Sequence, residues 1–93
     1  MRFSHFEPTP NPNAIKCVIE PGTHPGVPRS YFNQTQAIEA SDPLAQDLFA
    51  TPGVTNVLIH TLFITVCKDP GAKWPPIKRS VKAAIERHGQ PDA

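Results

Sequence analysis

SDPLAQDLFATPGVTNVLIHTLFITVCKD, residues 41–69, decides the fold of this chain. Asp42 can accept from the free N–H groups of a first helical turn, and Pro43 suits the first helical position, where no N–H is needed. Leu44 and Leu48 stand four apart, as do Ala45 and Phe49, so one side of a short helix is apolar. Pro52-Gly53 stops it. Val54 to His60 and Leu62 to Cys67 are rich in β-branched and aromatic residues, which favours strands. The joint between them, near His60-Thr61-Leu62, is too short for a crossover, so the pair is an antiparallel hairpin. A helix of about two turns is marginal alone in water and must lie on those strands to persist. Leu62, Ile64 and Val66 share one strand face, and Phe63, Thr65 and Cys67 the other. The first set is uniformly aliphatic and is expected under the helices.

Upstream, Arg2 to Glu7 predicts a strand anchored by Phe3 and Phe6. In Glu7 to Asn13, EPTPNPN, three prolines remove donors and fix φ, so the segment is stiff and extended. Asn11 and Asn13 can close Asx-turns there, and they are also candidates for partner contact. Ala14 to Glu20 predicts a second strand with Ile15, Cys17 and Ile19 on the core face and Lys16, Val18 and Glu20 opposite. Pro21 to Arg29 is a loop, and Ser30 to Asn33 a short edge strand carrying Tyr31 and Phe32. Gln34 to Ala40 fits either a helical turn or an irregular lead-in. Downstream, Pro70-Gly71 is a turn. WPPIKRSVKAAIERHG, from Trp74, predicts a helix with its prolines in the first turn and Trp74, Ile77, Val81, Ala84, Ile85 and His88 on one stripe. Gly89 is expected as a left-handed cap beyond its end, and Gln90 to Ala93 as a loose tail.

The order β-β-(β)-α-β-β-α predicts one α+β domain: a two-layer sandwich, an antiparallel sheet of four or five strands with two helices on one face. The composition agrees. Leu, Ile, Val and Phe make up 22 of 93 residues, about 24% against the roughly 20% below which disorder is expected. No run approaches the ~20 apolar residues of a membrane span, and the N-terminal residues do not resemble a signal peptide. Two distant cysteines with no export signal suit a reducing cytoplasm.

The sequence holds little that points to catalysis. There is no C-x-x-C, glycine-rich phosphate loop or G-x-S-x-G elbow. His5, His24, His60 and His88 are scattered without metal-ligand spacing. Asp42 and Asp47 look like capping and surface residues. Cys17 and Cys67 fall on opposite faces of the sheet and cannot bridge. The expectation is a non-enzyme. Charge, however, is uneven: Lys68 to His88 carries six cations against two anions. The ordinary account is a solvated helix face. The functional one is a docking surface for an acidic protein, through Lys78, Arg79 and Lys82. Nothing interleaves aromatics with basic residues as single-strand binders do, so no nucleic acid is expected. Phe63, beside Val18 and Cys67 on the open face, is a further candidate contact, unless a loop or the first strand covers it.

Thr9 to Asn13 (T-P-N-P-N), Asp42 to Phe49 (D-P-L-A-Q-D-L-F), Pro52 to Val54 (P-G-V) and Phe63 to Asp69 (F-I-T-V-C-K-D) occur in that order. They precede Trp74 and a helix ending A-A-I-E-R-H. As an ordered set they resemble the N-terminal domain of NifU-like (Nfu) iron–sulfur cluster scaffold proteins, over nearly the whole chain. The resemblance implies a small two-layer domain linked to iron–sulfur cluster assembly as an accessory, partner-contacting module. In that family the cluster is held by a C-x-x-C in a separate C-terminal domain. Implied partners are iron–sulfur assembly or target proteins, including a separate C-x-x-C scaffold domain. Departures are Cys17 and Cys67, where the family more often shows a hydrophobe and a hydroxyl residue, and the His60-Thr61-Leu62 joint. The expectation is no cofactor. The alternative is iron or an iron–sulfur cluster bound weakly through Cys67 or a histidine at an oligomer interface.

Overall fold

The computed structural model describes residues 3–19, 28–60 and 62–89. His24, Glu20 and the expected tail from Gln90 lie outside them. The elements run β1 (Phe3–Pro8), β2 (Ala14–Ile19), β3 (Arg29–Tyr31), α1 (Gln34–Glu39), α2 (Pro43–Phe49), β4 (Val54–Ile59), β5 (Phe63–Lys68) and α3 (Trp74–Gly89). All five strands form one antiparallel sheet in the order β1-β2-β5-β4-β3. The predicted α+β sandwich is what is found, with a third helix, α1, only six residues long, resolving the ambiguous stretch.

The α2 start behaves as its sequence dictates. Asp42 sits in extended backbone, and its Oδ1 accepts from Ala45 N at 3.2 Å, with Pro43 following. Leu44, Ala45 and Leu48 turn inward and are buried. The helix closes on Ala50, and Gly53 then takes φ +95°, a conformation that disfavours any side chain. A Cβ at Gly53 would also lie 2.8 Å from Ala72 Cβ. This glycine therefore lets the chain pass under the link into α3 on its way to β4.

The core occupies one sheet face. Ile15, Cys17 and Ile19 of β2, Val57 and Ile59 of β4 and Ile64 and Val66 of β5 pack against Leu44, Leu48, Ile77, Val81 and Ile85 of the helices. Register explains the sorting: Cys17 faces Ile64, and Ile15 faces Val66, so buried positions align across strands.

Three expectations change. Leu62 is 50% exposed, because β5 begins at Phe63 and leaves Leu62 in the turn. In the edge strand, Tyr31 is buried but Phe32 is 66% exposed, since the strand ends at Tyr31. Gly89 is the last residue of α3 rather than a cap beyond it. Lys68, the first cation of the basic stretch, is buried at 8% exposure. Its Nζ donates to Asn13 Oδ1 at 3.1 Å and to Asp69 O at 3.2 Å, and lies 5.4 Å from the Trp74 ring centre. Three neutral groups satisfy this ammonium where a carboxylate would be usual.

Candidate functional site

The T-P-N-P-N segment is held from within. Thr9 Oγ1 lies 2.8 Å from Asn11 O and 3.0 Å from Ala14 O, and Asn11 Oδ1 accepts from Asn13 N at 2.9 Å, an Asx-turn. Asn13 accepts from Lys68 through its side chain and again through its carbonyl, which takes Lys68 N at 2.8 Å. Trp74 Nε1 donates to Pro12 O at 3.1 Å. The side-chain oxygen of Asn11 thus closes the β1–β2 loop on itself, that of Asn13 ties the loop to the end of β5, and the Pro12 carbonyl ties it to the start of α3.

On the open sheet face, Phe63 is half-buried rather than bare. The His60 ring stacks on it with centroids 4.6 Å apart at 13°, and Lys16 Nζ sits 4.6 Å from its centre. Lys16 lies 4.0 Å from Glu7 Oε1, and Glu7 Oε2 lies 3.0 Å from His5 Nε2. The expected apolar patch of Val18, Phe63 and Cys67 is therefore broken up by a charged row crossing β1 and β2. β1 does not cover it: as the sheet's edge strand, it extends the same surface.

Cys17 is fully buried, and burial pushes its thiol up to about 12, with Lys78 pulling the other way. Cys67 is half-buried on the opposite face, and burial raises its thiol too. Thiols held protonated on two faces of one sheet do not fit joint metal ligation. Among the described residues, no three His, Cys, Asp or Glu side chains come together as a metal would require.

A cleft of about 290 Å³ opens where Arg29, Tyr31, Asp42, Leu44 and His88 meet. Its polar floor is already engaged. Asp42 Oδ2 accepts from the Tyr31 hydroxyl at 3.0 Å and lies 3.0 Å from Arg29 Nε, an ion pair whose N–H is poorly aimed for a hydrogen bond. Burial, then the hydrogen bond to Asp42, raises the Tyr31 phenol above its usual range. Sequence reasoning found the Asp42 cap but missed both partners, which come from β3 and carry no local signal.

Beside this cleft, Asp47 of α2 binds α3. Its Oδ2 accepts from Arg87 Nε at 3.1 Å and lies 2.9 Å from His88 Nε2. The Arg87 bond holds the Asp47 carboxyl below the ordinary range against the opposing effect of burial, with His88 assisting. A carboxylate whose folded-state value is depressed adds stability that is complete above about pH 4–5 and is lost as pH falls through the folded value. The pair is largely solvent-accessible, so the contribution is about 0.5–1 kcal/mol. Urea midpoints measured from pH 6 down to pH 3 should fall less steeply in Asp47→Asn than in the unsubstituted chain. Parallel slopes would remove Asp47 from the account of acid lability.

The cations of the basic stretch thus divide. Lys68 and Arg87 are consumed internally. Among the described residues, no carboxylate pairs with Lys73, Lys78, Arg79 or Lys82. Arg79 and Lys82 are exposed, whereas Lys78, expected to be exposed, is half-buried, with its Nζ 5.3 Å from the Phe6 ring centre.

Comparison with known proteins gives the family of this small two-layer α+β domain. Residues 5–92 match the family described as "Scaffold protein Nfu/NifU N terminal", and the chain belongs to that family. It is 36% identical over 84 residues to the NFU1 iron-sulfur cluster scaffold homolog, mitochondrial, of Drosophila erecta, covering 89% of this chain and 29% of that protein. It therefore spans less than a third of this curated relative. Among solved structures, the crystal structure of protein SAV1430 from Staphylococcus aureus superposes with a TM-score of 0.76 at 25% identity, covering 92% of this chain and 100% of that one. The solution structure of a NifU-like protein from Saccharomyces cerevisiae gives a TM-score of 0.74 at 26% identity, covering 94% and 79%. No helix among the described residues is long and apolar enough to cross a membrane.

Proposed function

We propose that this chain serves iron–sulfur cluster assembly as a non-enzymatic interaction domain, contacting assembly or target proteins, a C-x-x-C scaffold domain acting in trans among them. Family membership supports the process. The observation that carries the mode of action is the division of cations along residues 68–88. Two are spent on the fold, while Lys78, Arg79 and Lys82 on α3 have no acidic partner among the described residues. Charge left uncompensated on a rigid helix steers association with an oppositely charged surface.

The test is affinity capture from cell extract with the tagged chain and with Lys78→Glu/Arg79→Glu/Lys82→Glu, identifying proteins by mass spectrometry. Iron–sulfur assembly or target proteins should be recovered by the first and lost by the second. Recovery of the same proteins by both would remove the α3 face from the function. Recovery of none related to iron–sulfur chemistry would overturn the reading.

A further inference from the structure

The two lysines of α3, Lys78 half-buried and Lys82 exposed, are each seated on an aromatic ring of the edge strand. Lys78 Nζ lies 5.3 Å from the Phe6 ring centre, and Lys82 Nζ 5.5 Å from that of Phe3. The two rings contact one another at 4.7 Å between centroids, tilted by 59°. The rings in turn are partly buried and pack against the core. Lys78 and Lys82 are four residues apart on a helix, hence on one face and one turn apart, roughly 5–6 Å between Cβ atoms. Arg79 projects beside them, three residues before Lys82.

We propose that this Lys78–Lys82 pair, held on the Phe3–Phe6 rings with Arg79 alongside, docks an acidic protein segment whose carboxylates are spaced one helical turn apart. The inference rests on the interaction-domain reading above and adds the chemistry of the partner. Three features on the surface select that occupant. Each ammonium is drawn over a ring before binding, which lowers part of the ordering cost that flexible lysines impose. The ring beneath each ammonium attracts it without neutralising it, so the charge stays available on the outward side. The phenyl faces are occupied by the lysines and are not offered for base stacking, which sets the patch apart from a single-strand nucleic-acid platform. Carboxylates one turn apart match the lysine spacing.

The test titrates the ¹⁵N-labelled chain by NMR with a 14-residue helical peptide bearing glutamate pairs four residues apart. The same peptide with glutamine replacing glutamate and a single-stranded DNA 12-mer serve as comparators. The expected result is saturable binding of the glutamate peptide, with shifts confined to Phe3, Phe6, Lys78, Arg79 and Lys82. Affinity should fall at least tenfold in Lys78→Gln/Lys82→Gln, which keeps most of each stem over its ring, and be largely lost on raising salt from 0.05 to 0.5 M, as screening requires. Phe3→Leu/Phe6→Leu keeps every charge and should bind a few-fold more weakly through lost seating. Equal binding by the glutamine peptide, tighter binding by the oligonucleotide, or full affinity in the folded double-glutamine variant would each overturn the proposal. These outcomes separate from the capture experiment: peptide binding without iron–sulfur partners leaves the surface and removes the function. Iron–sulfur partners that ignore the lysines do the reverse.

Discussion

Leu48→Ala is expected to destabilise the domain by about 3–4 kcal/mol, the range for emptying a leucine site that cannot collapse. Leu48 has no exposure, and the α2 helix that carries it packs against both β4 and α3. A seven-residue helix holds itself together only weakly, so its persistence depends on the three side chains it buries, Leu44, Ala45 and Leu48. Neighbours from the sheet on one side and α3 on the other are fixed and leave a cavity rather than closing it. For a domain of this size, thermal melting should fall by roughly 15–25 °C. Leu48→Met, which conserves volume, should cost under ~1.5 kcal/mol, and Phe32→Ala, at a side chain 66% exposed, close to nothing. A Leu48→Ala midpoint within a few degrees of the parent would mean α2 does not bear on the core as described.

The second large effect is at Asp42. One carboxylate caps α2 through Ala45 N, accepts the Tyr31 hydroxyl and faces Arg29 Nε, all at 7% exposure. Asp42→Ala removes the cap, typically ~1 kcal/mol, strands a buried hydroxyl and takes the counter-charge from a half-exposed cation whose Nε is buried. The guanidinium can reach water, which limits its share, so the sum is about 3 kcal/mol and a loss of roughly 12–20 °C in melting temperature. Asp42→Asn keeps an oxygen acceptor for the cap but gives up the charge and should recover at least a third of that loss. Tyr31→Phe in the Asp42→Ala background should then cost little, because the stranded hydroxyl is gone. Additive losses in that double variant would show that the two side chains do not act together.

These two residues also mark how far the sequence could be read. Leu48 and the cap of Asp42 follow from local pattern, because a helix start and its apolar stripe are written within a few residues. So are the faces of β2 and β5, where alternation of Ile15, Cys17 and Ile19 and of Ile64 and Val66 specified burial. Lys68 follows the same alternation onto the core face, but Asn13, which makes its burial tolerable together with the nearby Trp74 ring, lies 55 residues away and carries no local signal. α1 was ambiguous because only Ala37 of its six residues is buried. Its one local signal was Asn33, whose Oδ1 accepts from Gln36 N at 2.8 Å as a cap would. The tie from Asn13 to Lys68 carries no local signal, because it forms only once β5 lies beside the proline loop. The Phe3 and Phe6 rings under Lys78 and Lys82 were likewise out of reach, since each ring and its lysine stand more than seventy residues apart in the sequence.

The strand order β1-β2-β5-β4-β3 has a consequence for synthesis. The middle of the sheet is the last strand to be made, so a nascent chain stopped before Phe63 holds two half-sheets whose inner edges have nothing to bond. Such edges are templates for unwanted pairing. Closure must await Phe63–Lys68 leaving the ribosome, and any delay at that point exposes β2 and β4 to other chains.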